Sequence, residues 1–229
     1  MTLLILLLLL SLTTSKFLRE CAYIDSECKV MVGCEYFEIG SCLVRTEVVK
    51  KSNITNFISF KYTVDEKTIR TDMYNGVSDC SVADKKYHMS DLTPLSLGKC
   101  VDSKQQGFKE IMDVIESLET DDKKPIAYFT NSSLGLEEKG ECKGVSVIEG
   151  MYRGCTVFPD NTSAMYRIHN GDLLCESFSD DRCMKFKDII LKQKCETCFT
   201  EKLQDDTFQY RNLHCGLNFL KKDQKKVEL

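Results

Sequence analysis

Tryptophan is absent from this chain of 229 residues, and proline and histidine occur three times each. Without tryptophan the Cys…Trp…Cys core of a true immunoglobulin domain is excluded. His88, His169 and His214 are far apart and form no His-x-x-x-His pair, and no paired Cys-x-x-Cys motif accompanies them, so no metal site is signalled. A Gly-x-Ser-x-Gly elbow and a glycine-rich phosphate loop are also missing, which leaves no hydrolase or nucleotide motif. Pro94, Pro125 and Pro159 all precede Cys195-Glu196-Thr197-Cys198. That dithiol spacing therefore lacks the downstream proline of a thioredoxin site, and both cysteines are read as structural. A thiol–disulfide folding factor using Cys195 and Cys198 is the remotest alternative. No catalytic residue, cofactor or metal is expected. The formal charge of −4 and pI near 5.5 argue against a nucleic-acid partner. No apolar run reaches the ~20 residues that span a bilayer.

What the chain does contain points to the secretory pathway. Residues 3–12 are apolar except for Ser11, and Thr13 and Ser15 place small side chains before Lys16, so residues 1–15 are read as a signal peptide. All thirteen cysteines follow it: Cys21, Cys28, Cys34, Cys42, Cys80, Cys100, Cys142, Cys155, Cys175, Cys183, Cys195, Cys198 and Cys215. In an oxidising lumen they form up to six disulfides, each stabilising the fold by typically 2–4 kcal/mol. The odd thiol is left free, metal-bound or paired to another chain, and for a disulfide-linked dimer Cys21 or Cys215, near the ends, are the candidates. Acceptor triplets for N-glycosylation begin at Asn53, Asn131 and Asn161, and their use would place three loops at the surface.

Period-two alternation, clearest over residues 54–64, and turn residues between short apolar runs predict a mainly β fold. Asn75-Gly76 reads as a hairpin turn. Ser103 and Gln106 form a capping-box pattern, and Phe108, Ile111, Met112, Ile115 and Leu118 follow at helical spacing, which predicts one amphipathic helix over 103–119. Residues 184–194 are ambiguous between strand and helix. The expected class is a disulfide-rich β-sandwich-like domain with one helix, over residues 16–220. A shift of 95 residues aligns Asn75-Gly76, Cys80, Met89 and Lys99-Cys100 with Asn170-Gly171, Cys175, Met184 and Lys194-Cys195, suggesting two related halves at about 16–102 and 125–215.

Residues 221–229 read as an exposed tail ending in Lys226-Val227-Glu228-Leu229. Three of these positions match the Lys-Asp-Glu-Leu address that returns soluble proteins to the endoplasmic reticulum. The expected partner is a retrieval receptor of that type, and the expected location is the endoplasmic reticulum lumen, with secretion as the alternative. The signal peptide, the cysteine-rich β pattern, the acceptor asparagines and this tail together resemble the poxvirus family of endoplasmic-reticulum-localised apoptosis regulators and immune-evasion domains. That resemblance implies a β-sandwich glycoprotein that binds a host secretory-pathway or cell-surface protein without catalysis. A secreted cytokine- or chemokine-binding protein, or a structural cysteine-rich protein, is the alternative. A second resemblance is to short secreted cysteine-rich proteins of protists.

Overall fold

The computed structural model describes residues 16–49, 54–66, 68–81, 86–94, 96–103, 107–118, 121–131, 142, 147–158, 160–202 and 207–216. Their sixteen strands form two antiparallel sheets, and no α-helix occurs among them. None of their segments is a helix long and apolar enough to cross a membrane. The tail and Asn53 lie outside these residues.

The large sheet is built from β1 (Phe17–Tyr23), β2 (Met31–Glu38), β3 (Leu43–Val49), β4 (Ile54–Val64), β5 (Thr68–Asn75), β6 (His88–Pro94), β7 (Val101–Asp102), β8 (Lys109–Ile115), β9 (Ala127–Asn131) and β10 (Ile148–Met151). Two late strands, β15 (Thr197–Lys202) and β16 (Thr207–Cys215), complete it. The order is β6-β5-β4-β3-β16-β9-β10-β2-β1-β8-β7, with β15 paired to β16. The small sheet runs in sequence order through β11 (Cys155–Val157), β12 (Ser163–His169), β13 (Asp172–Phe178) and β14 (Phe186–Lys194).

The helix expected over 103–119 is instead the β7–β8 hairpin. The amide of Ser103 donates to the carbonyl of Phe108, and Gly107 turns the chain at a φ of +88°. The misleading spacing has a physical cause. β8 is covered on both faces, with Ile111 and Ile115 in one cluster and Met112 and Val114 in another. Apolar residues then fall on both faces, and the alternation that marks a half-buried strand is lost.

Two apolar clusters lie on one face of the large sheet. Leu18, Phe37, Leu43 and Ile69 make the first; Ala127, Phe129 and Leu213 make the second, onto which the small sheet packs through Leu173, Tyr166 and Leu191. The opposite face carries Cys21, Tyr23, Cys34, Tyr36, Tyr128 and Ile148 beneath Leu118. There the buried Arg19 meets Asp113, Asp121 and Asp122, and Tyr36 hydrogen-bonds Asp121 and Tyr152. Burial lowers the affinity of the Arg19 guanidinium for its proton, but the three carboxylates more than reverse this.

An internal repeat exists, though not at the expected shift. The strand set β7-β8-β1-β2 matches β11-β12-β13-β14 in order, and in register from the shared turn as far as the pairs Cys21–Cys34 and Glu176–Ile189; beyond them β14 carries a second bulge, at Ile190, that β2 lacks. Tyr23 pairs with Met31 and a bulge at Val32 follows; Phe178 pairs with Phe186 and a bulge at Lys187 follows. Between those strands each unit has the same turn. Asp25 accepts hydrogen bonds from the amides of Lys29 and Val30, and Asp180 from those of Met184 and Lys185. Cys28 and Cys183 both sit at a φ of +53°. Both are tied to the start of the outer strand: Cys28 to Cys100, just before β7, and Cys183 to Cys155, the first residue of β11. The chain order is permuted: the second unit is continuous, whereas the first takes two strands from residues 17–38 and two from 101–115. The shift of 95 equates cysteines that do different things, since Cys80 pairs with Cys42 and Cys175 pairs with none. Asn170-Gly171 is a two-residue hairpin turn, whereas Asn75-Gly76 only ends β5, and β6 begins at His88.

Candidate functional site

Alternation places carboxylates on the packed face of the large sheet, in the gap between its two apolar clusters. Glu20 of β1 stands opposite Glu35 of β2, and Glu35 stands opposite Glu149 of β10. Glu110 of β8 lies opposite Ala22 in the next step of the ladder. Like charges directly opposed on neighbouring strands destabilise a sheet, so this row works against folding. The four line a cleft of about 300 Å³ with Ser103, Met151 and Tyr166 on its walls.

Small residues on the floor, Ala22 and Gly33, give the cleft its depth, and the backbone of Gly150 lines it as well. Gly150 is required from the other side of the sheet. A Cβ there would lie 2.8 Å from the Tyr152 hydroxyl and 3.1 Å from the Tyr36 ring. Glycine lets β10 rest against both tyrosines while its neighbour Glu149 points into the cleft.

The electrostatics are strongly negative at the centre and balanced at one end. Burial among the cleft walls, reinforced by Glu149, pushes the Glu35 carboxyl above its ordinary range, against the pull of Arg45 and Arg211. The Glu35 side chain nevertheless stays open to the cleft. Glu110 is only 6% exposed, and no hydrogen bond or ion pair reaches it among the described residues. Arg211 closes one end: it pairs with Glu149 and with Glu201 at 2.7 Å, and its guanidinium lies 4.4 Å from the centre of the Phe129 ring. Burial alone would raise the Glu201 carboxyl, but Arg211 holds it below its usual value. Burial, followed by Glu20 and Glu35, raises the Tyr62 phenol. Among the described residues no three His, Cys, Asp or Glu side chains are placed to hold a metal ion. What the arrangement suits is a mobile cation with several donors, a lysine ammonium or arginine guanidinium.

The residues singled out in the sequence fall mostly elsewhere. Twelve cysteines form Cys21–Cys34, Cys28–Cys100, Cys42–Cys80, Cys142–Cys198, Cys155–Cys183 and Cys195–Cys215. Cys195 and Cys198 therefore belong to separate disulfides, with no dithiol between them. The odd thiol is neither Cys21 nor Cys215 but Cys175, which is 3% exposed beside Tyr166 and cannot reach a second chain without unfolding β13. Burial also raises its pKa, which keeps it a thiol. Asn161 occupies an exposed turn at a φ of +62°. Asn131 ends β9, is 2% exposed and donates its backbone N–H to the carbonyl of Val147, so it is not the surface loop position expected for an acceptor. The cleft acids were legible in principle: Glu35 interrupts the apolar Cys34 and Tyr36-Phe37, and Glu149 follows Val147-Ile148.

Comparison with protein-family models, with curated proteins and with solved structures finds no match.

Proposed function

We propose that this chain is a lumenal or secreted binding protein whose carboxylate cleft takes a basic segment of a partner protein. The observation that carries this reading is the row Glu20-Glu35-Glu149, three carboxylates side by side on adjacent strands in an open cleft. Glu35 at the middle of the row is open to the cleft, and burial beside Glu149 raises its carboxyl, so a cation brought by a partner relieves the like-charge crowding there. Six disulfides suit an oxidising compartment and make a rigid, sandwich-like frame. Within this proposal the partner is a host secretory-pathway protein, the activity is capture without catalysis, and Lys226-Val227-Glu228-Leu229 returns the complex to the endoplasmic reticulum. The outline shared with poxvirus immune-evasion domains supports that version. Secretion with a basic cytokine or chemokine as ligand uses the same cleft.

The test is titration of the mature protein with a ten-residue peptide alternating lysine and serine, and with its glutamate–serine counterpart. The lysine peptide is expected to bind, more weakly as salt rises. The pair Glu35→Gln and Glu149→Gln is expected to lower its affinity by about a hundredfold or more, since hydrogen bonds to charged groups contribute about 1.5–3 kcal/mol each. Equal binding of both peptides, or no loss in the variant, sinks the reading. Blocking the tail with one residue after Leu229 separates the two locations. Release into the medium with mature glycans is expected if the tail is read. Secretion of the unblocked chain to the same extent assigns the protein to the secreted version.

A further inference from the structure

The internal repeat gives one sheet edge a known occupant and leaves its equivalent bare. In the first unit the outer edge of β2 is paired with β10, antiparallel, at Cys34, Glu35 and Tyr36. By register from the shared turn, Ile189 matches Cys34, and past the bulge at Ile190 the residues Leu191 and Lys192 of β14 match Glu35 and Tyr36. No strand pairs there among the described residues, and β14 ends its sheet. The side chains along it are correspondingly uncovered: Met184 is 76% exposed, Phe186 57%, Ile189 41% and Ile190 63%. An edge of nine residues with this much exposed apolar surface is a template for strand addition.

Charge selects the occupant. Between residues 184 and 194 stand Lys185, Lys187, Lys192 and Lys194 against Asp188 alone. Two copies of β14 would bring these lysines together, and edge lysines are a common device against self-pairing. The strand that covers β2, Ile148-Glu149-Gly150-Met151, is apolar and acidic. We propose that β14 docks an extended segment of a partner protein in which apolar residues alternate with carboxylates. The segment adds as an antiparallel strand, its apolar residues meeting Phe186 and Ile190 and its acids meeting the lysines. The Ile189 amide, which at present donates to its neighbour Asp188 at 2.8 Å, becomes available to the incoming strand. This surface is distinct from the carboxylate cleft in both place and sign.

The mature protein is titrated with a ten-residue peptide alternating valine and glutamate and with its valine–lysine counterpart, and amide hydrogen exchange is followed along residues 186–194. The glutamate peptide is expected to bind at least tenfold more tightly and to slow exchange at β14. Ile190→Asp should weaken it tenfold or more. Lys187→Glu, at an exposed side chain, should shift the preference towards the lysine peptide. The pair Glu35→Gln and Glu149→Gln should leave this binding unchanged, which separates it from the cleft. Equal binding of the two peptides, unaltered exchange at β14, or a dimer that disappears in Ile190→Asp overturns the proposal, the last in favour of a second copy as occupant.

Discussion

The two repeated units share strand order, turn and disulfide, yet one lies inside a twelve-stranded sheet and the other forms a sheet of its own. Their second strands show the consequence. β2 has buried residues at Cys34, Tyr36 and Phe37, whereas β14 is exposed along most of its length. The matching positions Arg19 and Leu174 differ as well. Both are buried, but the first is a cation held by three carboxylates and the second an uncharged aliphatic side chain. The turn with its cysteine thus suffices to set the local pairing, while the neighbours decide whether a face becomes core, cleft or docking edge.

The comparison is most severely tested at those matching positions. Arg19→Ala is expected to cost about 3–5 kcal/mol, because it leaves the buried Asp121 without its cation. Leu174→Ala should cost about 2–4 kcal/mol, as an ordinary cavity does. Urea unfolding measures both, and a neutral Arg19→Ala would show that the ion cluster adds nothing to the first unit. A smaller difference separates the shared disulfides. Cys28–Cys100 spans 72 residues and Cys155–Cys183 spans 28. Loop-closure entropy then makes the first worth roughly 1 kcal/mol more, so replacing its two cysteines by alanine should lower the unfolding free energy by that much more than the same change in the second. The reverse order would mean that the embedded unit is held by its neighbours rather than by its bridge.

The smallest effect concerns the turns. Hydrogen bonds from backbone amides, led by Val30 in one unit and Lys185 in the other, hold Asp25 and Asp180 below the ordinary carboxylate range. A depressed folded value means stability that is present above the unfolded pKa of about 3.9 and is lost as pH falls through the folded value. Both turns should therefore weaken only below about pH 4. Asp25→Asn and Asp180→Asn should each flatten that acid limb by a similar amount, as read from unfolding midpoints across pH. Glu35 works in the opposite direction: its raised carboxyl costs stability as pH rises from about 4.3 through the folded value. Glu35→Gln should accordingly raise the midpoint at neutral pH while it impairs the cleft.

Alternation made β4 legible in the sequence, and turn residues bounded the later strands, so the mainly β class was within reach. Local pattern failed at β8 because a strand buried on both faces imitates a helix. The repeat was invisible for a different reason: its first copy is split between residues 17–38 and 101–115, and no single shift aligns both parts with 155–194. Odd cysteine number foretold an unpaired thiol, but only the fold shows that Cys175 faces a core. The acids of the cleft drew no attention because each is ordinary alone. Their meaning lies in the register that sets Glu20, Glu35 and Glu149 in a row.

The permuted order has a consequence in time. At a synthesis rate of about 5–20 residues per second, the second unit has all four strands within a few seconds of its first. The first unit must wait: β1 and β2 emerge together, but β8, which flanks β1, ends at Ile115 and follows roughly 4–15 seconds later. During that interval the edge of β1 that β8 will pair with stays open. The cross-strand bridge Cys21–Cys34 can form within the hairpin itself, because both cysteines are already translated and stand opposite one another. In an oxidising compartment that bridge locks the register of the earliest hairpin before its sheet exists.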